Sequence, residues 1–405
     1  MYCIIRFIRK MINRLFIYMY RIFCFLRKRM INRFFRESYT IIQDPIHVYP
    51  VVNNIKEESW ERLYVSEVFK ISKEYSIECY SGAQYVLTVD DARVSSQSDI
   101  VVTSKGVLWD KYYKSSFTKT IPLDSNLISF SIGQVDVVKA KKQISVDGAV
   151  ISMGGVHSNV WAHFLVMYLP RLYYAAELGL LDNSVTVLLP HYWDGHIRQI
   201  VYDFLSGYTN VSIVEMEDSI DYLCQSLFYI PSFSNATDHA SYCMAIDFLI
   251  PQNVVDMLSK YLVERYSSIA HKDKHKKKLY LARRGEYRCA TNWQEIEDFF
   301  RNEGFEIIEP HKLTLVEKVA AFKNANVIVG PYSAAFTNLL FCKDAKVLII
   351  SPLMRSVETY YYTIAQKTSV RILNVTGVDK GMNIHTNYFV PVEKIKEAYE
   401  VLINN

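Results

Sequence analysis

From Leu279 to the C-terminus, short apolar runs alternate with stretches whose apolar residues recur every three or four positions. Leu279–Ala282, Phe305–Ile308, Val327–Val329, Val347–Ile350 and Val370–Val375 read as buried strands. Trp293–Asn302, Leu315–Lys323, Ala334–Cys342 and Val357–Lys367 read as helices between them, and Pro391 opens a closing helix over Val392–Leu402. This alternation predicts a doubly wound parallel sheet with ligands at the carboxyl ends of its strands. The stretch Ala325–Leu340 is its sharpest instance. A strand stops at Gly330-Pro331, and the small residues Ser333, Ala334 and Ala335 open the next helix, leaving backbone N–H groups that a phosphate can approach. The same pattern also serves as a plain strand–turn–helix, so the motif alone leaves both readings open.

The first half is less regular. Between Ile41 and Val150 there are strand-like pieces at Gln84–Val89, Asp99–Thr103 and Leu127–Ile132, with no chemistry to assign. Ile151–Gly155 then reads as a strand entering a glycine turn, followed by a helix over Val160–Leu178. Strands at Val185–Leu189 and Val211–Glu215 and helices at Trp193–Leu205 and Ala240–Tyr266 predict a second parallel sheet. The cationic run His271–Lys278 separates the halves. His271 and His275 stand four apart, but a solvated linker explains them better than a metal site. The domains expected are therefore 37–270, a linker at 271–278, 279–390, and a closing helix at 391–405.

Half of the 405 residues are apolar and 22% are charged, a composition with room for two globular cores. The seven cysteines form no CxxC pair, which reads as buried thiols in a reducing compartment. The net charge of +4 conceals a split: residues 1–36 carry ten Lys or Arg and no acid, leaving 36 basic against 42 acidic residues elsewhere. A mildly acidic body argues against nucleic acid as a partner. On a helical wheel Arg6, Lys10, Arg14, Arg21 and Lys28 face away from Ile5, Ile8, Ile12, Leu15, Phe16, Met19, Ile22, Phe23 and Leu26. No apolar run there approaches the roughly 20 residues of a spanning helix. The segment predicts an N-terminal amphipathic helix, peripheral on the anionic inner leaflet of a cytoplasmic membrane.

Several ordered segments together resemble glycosyltransferase family 61. Leu279–Arg284, with Arg288 and Asn292, is similar to the family's strand ending in arginine, followed by a second arginine and an asparagine. Gly304-Phe305, Glu309-Pro310 and Leu313–Ala325 follow its next strand and helix, and Gly330–Asn338 stands where the family has Gly-x-His-Gly-Ala and then Thr-Asn. Gly154-Gly155, Asn159, His163 and Leu169-Pro170-Arg171 match its asparagine–aromatic–histidine stretch. The chain departs from the pattern at Tyr332 (for histidine), Ser333 (for glycine) and Met167 (for an acid common in bacterial members). The resemblance implies an inverting glycosyltransferase of surface or capsular polysaccharide synthesis. It also implies a GT-B-like pair of Rossmann-type α/β domains with parallel sheets and a cleft between them. The donor would be a nucleoside diphosphate sugar, most simply a UDP-sugar, and the acceptor a glycan or lipid-linked sugar. A non-catalytic nucleotide-sugar or glycan-binding protein on the same fold is the alternative.

Such a transfer leaves a diphosphate whose growing charge needs a cation, arginines or a helix N-terminus. No Asp-x-Asp metal motif stands at a predicted strand end, so no divalent metal is implied. Arg283 and Arg288 follow the first strand of the second half, suited to clamping phosphate. Gly330, Tyr332, Ser333, Thr337 and Asn338 form the turn and helix start beside them, with Asn292 following Arg288 and Glu309 at the end of the second strand. For the base that deprotonates the acceptor the candidates are His163 and, beside it, His157.

Overall fold

The computed structural model describes residues 36–65, 68–70, 75–110, 124–140, 142–234, 249–267, 277–285, 288–352, 360–379 and 386–404. The basic segment up to residue 35, the histidines at 271 and 275 and the first part of the helix expected from Ala240 lie outside these residues.

The first half is rich in strands: β1 (Arg36–Thr40), β2 (Val51–Lys56), β3 (Ser59–Val65), β4 (Tyr75–Ser81), β5 (Gln84–Ser95), β6 (Val101–Thr103), β7 (Gly106–Leu108), β8 (Leu127–Ser131), β9 (Gln134–Val138) and β10 (Lys142–Ser152). After β10 come α1 (Trp161–His163), a π-helical turn (Phe164–Tyr168) and α2 (Leu169–Glu177), which run on as one helix. Then follow β11 (Val185–Pro190), α3 (Gly195–Leu205), β12 (Val211–Met216), β13 (Ile220–Tyr229) and α4 (Gln252–Ser267). The main sheet of this half has the order β12-β11-β10-β13-β5-β6-β7, with β2 also on β5. Its β10, β11 and β12 are parallel, whereas β5 runs antiparallel to β13 and to β6. The sheet is thus mixed, not all-parallel as the sequence pattern predicts. β5 and β13 are long strands of half-alternating polarity, the signature of antiparallel pairing that short apolar runs do not reveal.

The second half holds β14 (Lys277–Leu281), α5 (Trp293–Asn302), β15 (Glu306–Ile308), α6 (Leu315–Lys323), β16 (Ala325–Pro331), a 3-10 helix (Ala334–Phe341), β17 (Lys346–Pro352), α7 (Tyr360–Lys367), β18 (Arg371–Asp379), β19 (Tyr388–Phe389) and α8 (Val392–Asn404). Its sheet has the order β15-β14-β16-β17-β18-β19, parallel except for the last pair. Lys277 and Lys278, read from sequence as linker, begin β14. The stretch after Ser333 is a tight 3-10 helix, where the sequence predicts an α-helix.

Two cores flank this second sheet. Tyr280, Phe300, Phe305, Val329, Leu348 and Leu402 fill the side covered by α5 and α8. The other core is shared between the halves: Ile151, Val187 and Leu189 from one sheet and Leu279, Leu281 and Ile328 from the other join one apolar cluster through Phe164, Leu258, Val319, Phe336 and Ile364. One layer of helices therefore serves both sheets. No helix among the described residues is long and apolar enough to cross a membrane. Cys79, Cys224, Cys289 and Cys342 are buried thiols outside any disulfide.

Candidate active site at the strand carboxyl ends

In the second sheet β14 has β15 on one side and β16 on the other. The chain leaves β14 in one direction and returns on the opposite flank, so the carboxyl ends of β14 and β16 form a topological switch point, the place where ligands bind in sheets of this kind. Gly330 makes the two strands meet closely there. A Cβ on it would stand 2.8 Å from Leu281 Cβ and 2.9 Å from the Leu281 carbonyl oxygen. Beyond it, Tyr332 packs edge-on against Tyr361, with ring centroids 5.1 Å apart. The Tyr361 hydroxyl donates to the Ser333 carbonyl at 2.6 Å, which also accepts from the Phe336 amide. Ser333 is half-buried and Ala334 exposed, so solvent reaches the start of the helix.

Arg283, two residues past β14, is half-buried, and its charge acts on the Tyr388 hydroxyl, which donates to the Ile350 carbonyl at the end of β17. The adjacent Arg284 turns outward to Glu297 at 2.6 Å and Glu309 at 3.2 Å, with its guanidinium over the Trp293 ring. Glu309 is also bonded by Lys312 at 2.9 Å, the main cause holding its carboxyl below the usual range. Asn292 donates to the Val390 carbonyl at 2.8 Å. Arg288 occupies left-handed backbone, with φ 55°. Thr337 and Asn338 are fully buried. Thr337 Oγ1 meets the Tyr360 hydroxyl at 3.0 Å, and Asn338 Oδ1 accepts from Trp161 Nε1 at 2.9 Å. The structure therefore sets Glu309, Asn292, Thr337 and Asn338 in internal contacts, while Gly330, Tyr332 and Ser333 stand at and just past the carboxyl end of β16 and Arg283 just past that of β14.

His157 and His163, the two base candidates, come together with ring centroids 5.6 Å apart. His157 is exposed, in left-handed backbone with φ 60°, a region His tolerates better than most residues. The loop presenting it is fixed from below. Asp99 accepts from the Val156 amide at 3.1 Å and pairs with Arg171 at 3.4 Å, while Arg171 also donates to the Gly154 carbonyl at 3.0 Å. Ser158 bonds Tyr192 and Trp193. Gly155 is needed because a Cβ there would lie 2.3 Å from the Tyr168 ring and 2.5 Å from Asp99. Asp124, whose carboxyl burial and the Asp99 charge push up to about 6, completes this buried cluster. Arg171 is thus a brace under the glycine turn.

His163 immediately precedes the π-helical turn. Pro170 has no N–H to give the Val166 carbonyl, and the Ser234 hydroxyl donates to that carbonyl instead, at 2.7 Å. The Leu169 amide bonds back to Phe164, five residues earlier, which widens the turn. Within it Met167 Sδ lies 3.4 Å from His163 Nδ1.

The sequence reading passed over Trp161, His196 and Lys318. Trp161 and His196 follow the carboxyl ends of β10 and β11, and Lys318 lies in the first turn of α6 after β15. Lys318 Nζ is 4.2 Å from the Trp161 ring centroid and 3.2 Å from His196 Nδ1. Only 4% of Lys318 is exposed, and this burial brings its pKa down to about 8, with Asp194 opposing the shift. His196 is lowered by burial and then by the Lys318 charge. Carboxyl ends of both sheets therefore converge on one cationic point, joined across the halves by the Trp161–Asn338 bond. A sequence signal existed: Lys318 stands on the apolar face of its helix, between Leu315 and Phe322.

Among the described residues no group of three or more His, Cys, Asp or Glu is arranged to hold a metal ion. No curated protein matches the chain. Residues 161–349, which run from Trp161 through α6 and the Gly330 turn to β17, match the family model described as Glycosyltransferase 61, and over that stretch the chain is similar to that family.

Proposed function

We propose that the protein is an inverting glycosyltransferase that uses a nucleoside diphosphate sugar, most simply a UDP-sugar, to glycosylate a glycan or lipid-linked acceptor in surface polysaccharide synthesis. The family itself implies glycosyl transfer. The observation that supports the finer reading is the packing of the His163 helix, through the Trp161–Asn338 bond, against the 3-10 helix that follows β16 at the switch point of the second sheet. In this reading the donor diphosphate lies at the Ser333–Ala335 amides, with Arg283 and the Lys318 ammonium neutralising it. The acceptor hydroxyl oxygen attacks the anomeric carbon as the carbon–oxygen bond to diphosphate breaks. His163, or His157 beside it, takes the hydroxyl proton. No divalent metal is invoked. Residues 1–36 would hold the enzyme on an anionic inner leaflet, and liposome flotation of a chain lacking them should fail; undiminished flotation would remove the anchor.

A second reading, nucleotide-sugar binding without turnover, is favoured by Met167. A catalytic histidine is ordinarily oriented by a strong acceptor, and a thioether is a weak one. Incubation with radiolabelled nucleotide sugars separates the two. Donor hydrolysis or transfer supports the enzyme, binding without turnover the second reading, and neither defeats both.

A further inference from the structure

The Lys318 ammonium is buried against a ring face and an imidazole, with no carboxylate bonded to it among the described residues, a costly arrangement that packing alone does not explain. Its chemistry becomes specific at His196. An ammonium can only donate, so at the 3.2 Å contact His196 Nδ1 accepts, and the ring proton sits on Nε2. Burial and then the Lys318 charge lower the pKa of this histidine, so at pH 7 the ring is neutral, as the contact requires. With its one lone pair spent on Lys318, His196 has no basicity to offer a hydroxyl and a single N–H to give. Asp194 also acts on both groups, but it caps α3 by accepting from the Ile197 amide at 2.9 Å and is exposed, where solvent screens it. The Lys318 charge is buried and little screened, so the imidazole lies in a positive field.

Nε2 points away from Lys318, since the two nitrogens of an imidazole face nearly opposite directions, and it makes no hydrogen bond with the described residues. The ring is half-buried in the first turn of α3, just past the carboxyl end of β11, with the Trp161 ring edge-on to it and centroids 6.3 Å apart. Trp161 in turn bonds Asn338 in the 3-10 helix that follows Gly330. We infer that His196 contacts the nucleotide donor, its Nε2–H donating to a phosphate oxygen, and that Lys318 is the positioning residue that fixes this tautomer. A fixed donor in a positive field gains strength as charge grows on its acceptor, which suits a leaving diphosphate better than a neutral hydroxyl. The inference rests on the glycosyltransferase reading, to which it adds a residue of the first half that reaches the leaving group.

The test is nitrogen-15 NMR of the histidine rings in the full chain, with calorimetric titration of UDP and, separately, of inorganic pyrophosphate. The His196 ring is assigned by its loss in His196→Asn. At pH 7 it should show Nδ1 bare and Nε2 protonated, a mixture of tautomers in Lys318→Met, and a shift at Nε2 on adding either ligand. His196→Asn keeps an amide where Nδ1 stands and nothing where Nε2 stands. It should weaken both ligands about tenfold or more, the loss expected when a hydrogen bond to a charged group goes. His196→Gln, whose amide nitrogen reaches the Nε2 position, should recover most of that affinity. A proton on Nδ1 in the unaltered chain, an Nε2–H form undiminished in Lys318→Met, or full UDP affinity in His196→Asn would each overturn the inference and leave the donor reading standing. A pyrophosphate shift at Nε2 in a chain that binds no UDP would instead defeat the nucleotide donor and keep the phosphate contact. Binding of neither ligand would defeat both.

Discussion

Lys318 separates binding from stability. Its ammonium is buried against a Trp ring and a His, and its pKa falls to about 8 from an ordinary 10.5. Between those values the unfolded chain binds more protons than the folded one, so stability rises with pH across that window. Below pH 8 the whole burial penalty is present, on the order of 3 kcal/mol. Lys318→Met should therefore raise the melting temperature at pH 7 and weaken UDP binding by about tenfold or more. In the unaltered chain UDP affinity should decline above pH 8, as the ammonium loses its proton. Unchanged UDP affinity in the variant would remove Lys318 from the donor site. His163→Ala should lower turnover by about 10²–10⁴-fold with UDP binding retained, as loss of a general base does. A fall in UDP binding alone would point to a different role.

At the scale of elements, Gly330 sets how closely β14 and β16 approach. Gly330→Ala puts a methyl group against the Leu281 backbone and should cost about 1–3 kcal/mol, seen as a lower urea midpoint. Pro170 governs the helix that carries His163. Pro170→Ala restores an N–H that competes with Ser234 for the Val166 carbonyl, tightening the π turn. Turnover should drop with little change in melting temperature, and equal turnover would show that the wide turn does not position the base. The strands at Leu279, Val327 and Val347 were legible because each is buried on both faces and reads as an unbroken apolar run. β13 was not, because Asp221 and Gln225 interrupt it, and Asp221 is accommodated by Ser95 and the Ala140 amide from distant segments. The Gly330 turn and the two histidines were visible as local patterns. The contact of Trp161, His196 and Lys318 was not, since a lysine at an apolar-face position gives no hint of which ring covers it.

At the scale of the molecule, both sheets press on the same helices. A fragment spanning 277–405 would expose the apolar face of its sheet that α4 and the π-turn helix cover, and should aggregate on expression more than the full chain does. A soluble, folded fragment would show that the two halves are independent. Asn338→Ala strands the Trp161 indole N–H in the seam and should lower stability by about 1–3 kcal/mol.

The common helical layer has a kinetic corollary. Hinged enzymes swing lobes together around their substrates, and the swing needs a seam with few contacts. Here Ala162 and Trp161 are bonded to Tyr360 and Asn338 across the line where such a pivot would run. On the proposed reading a donor sugar would meet this braced seam, and discrimination among donors would fall to its shape rather than to any embrace around the guest.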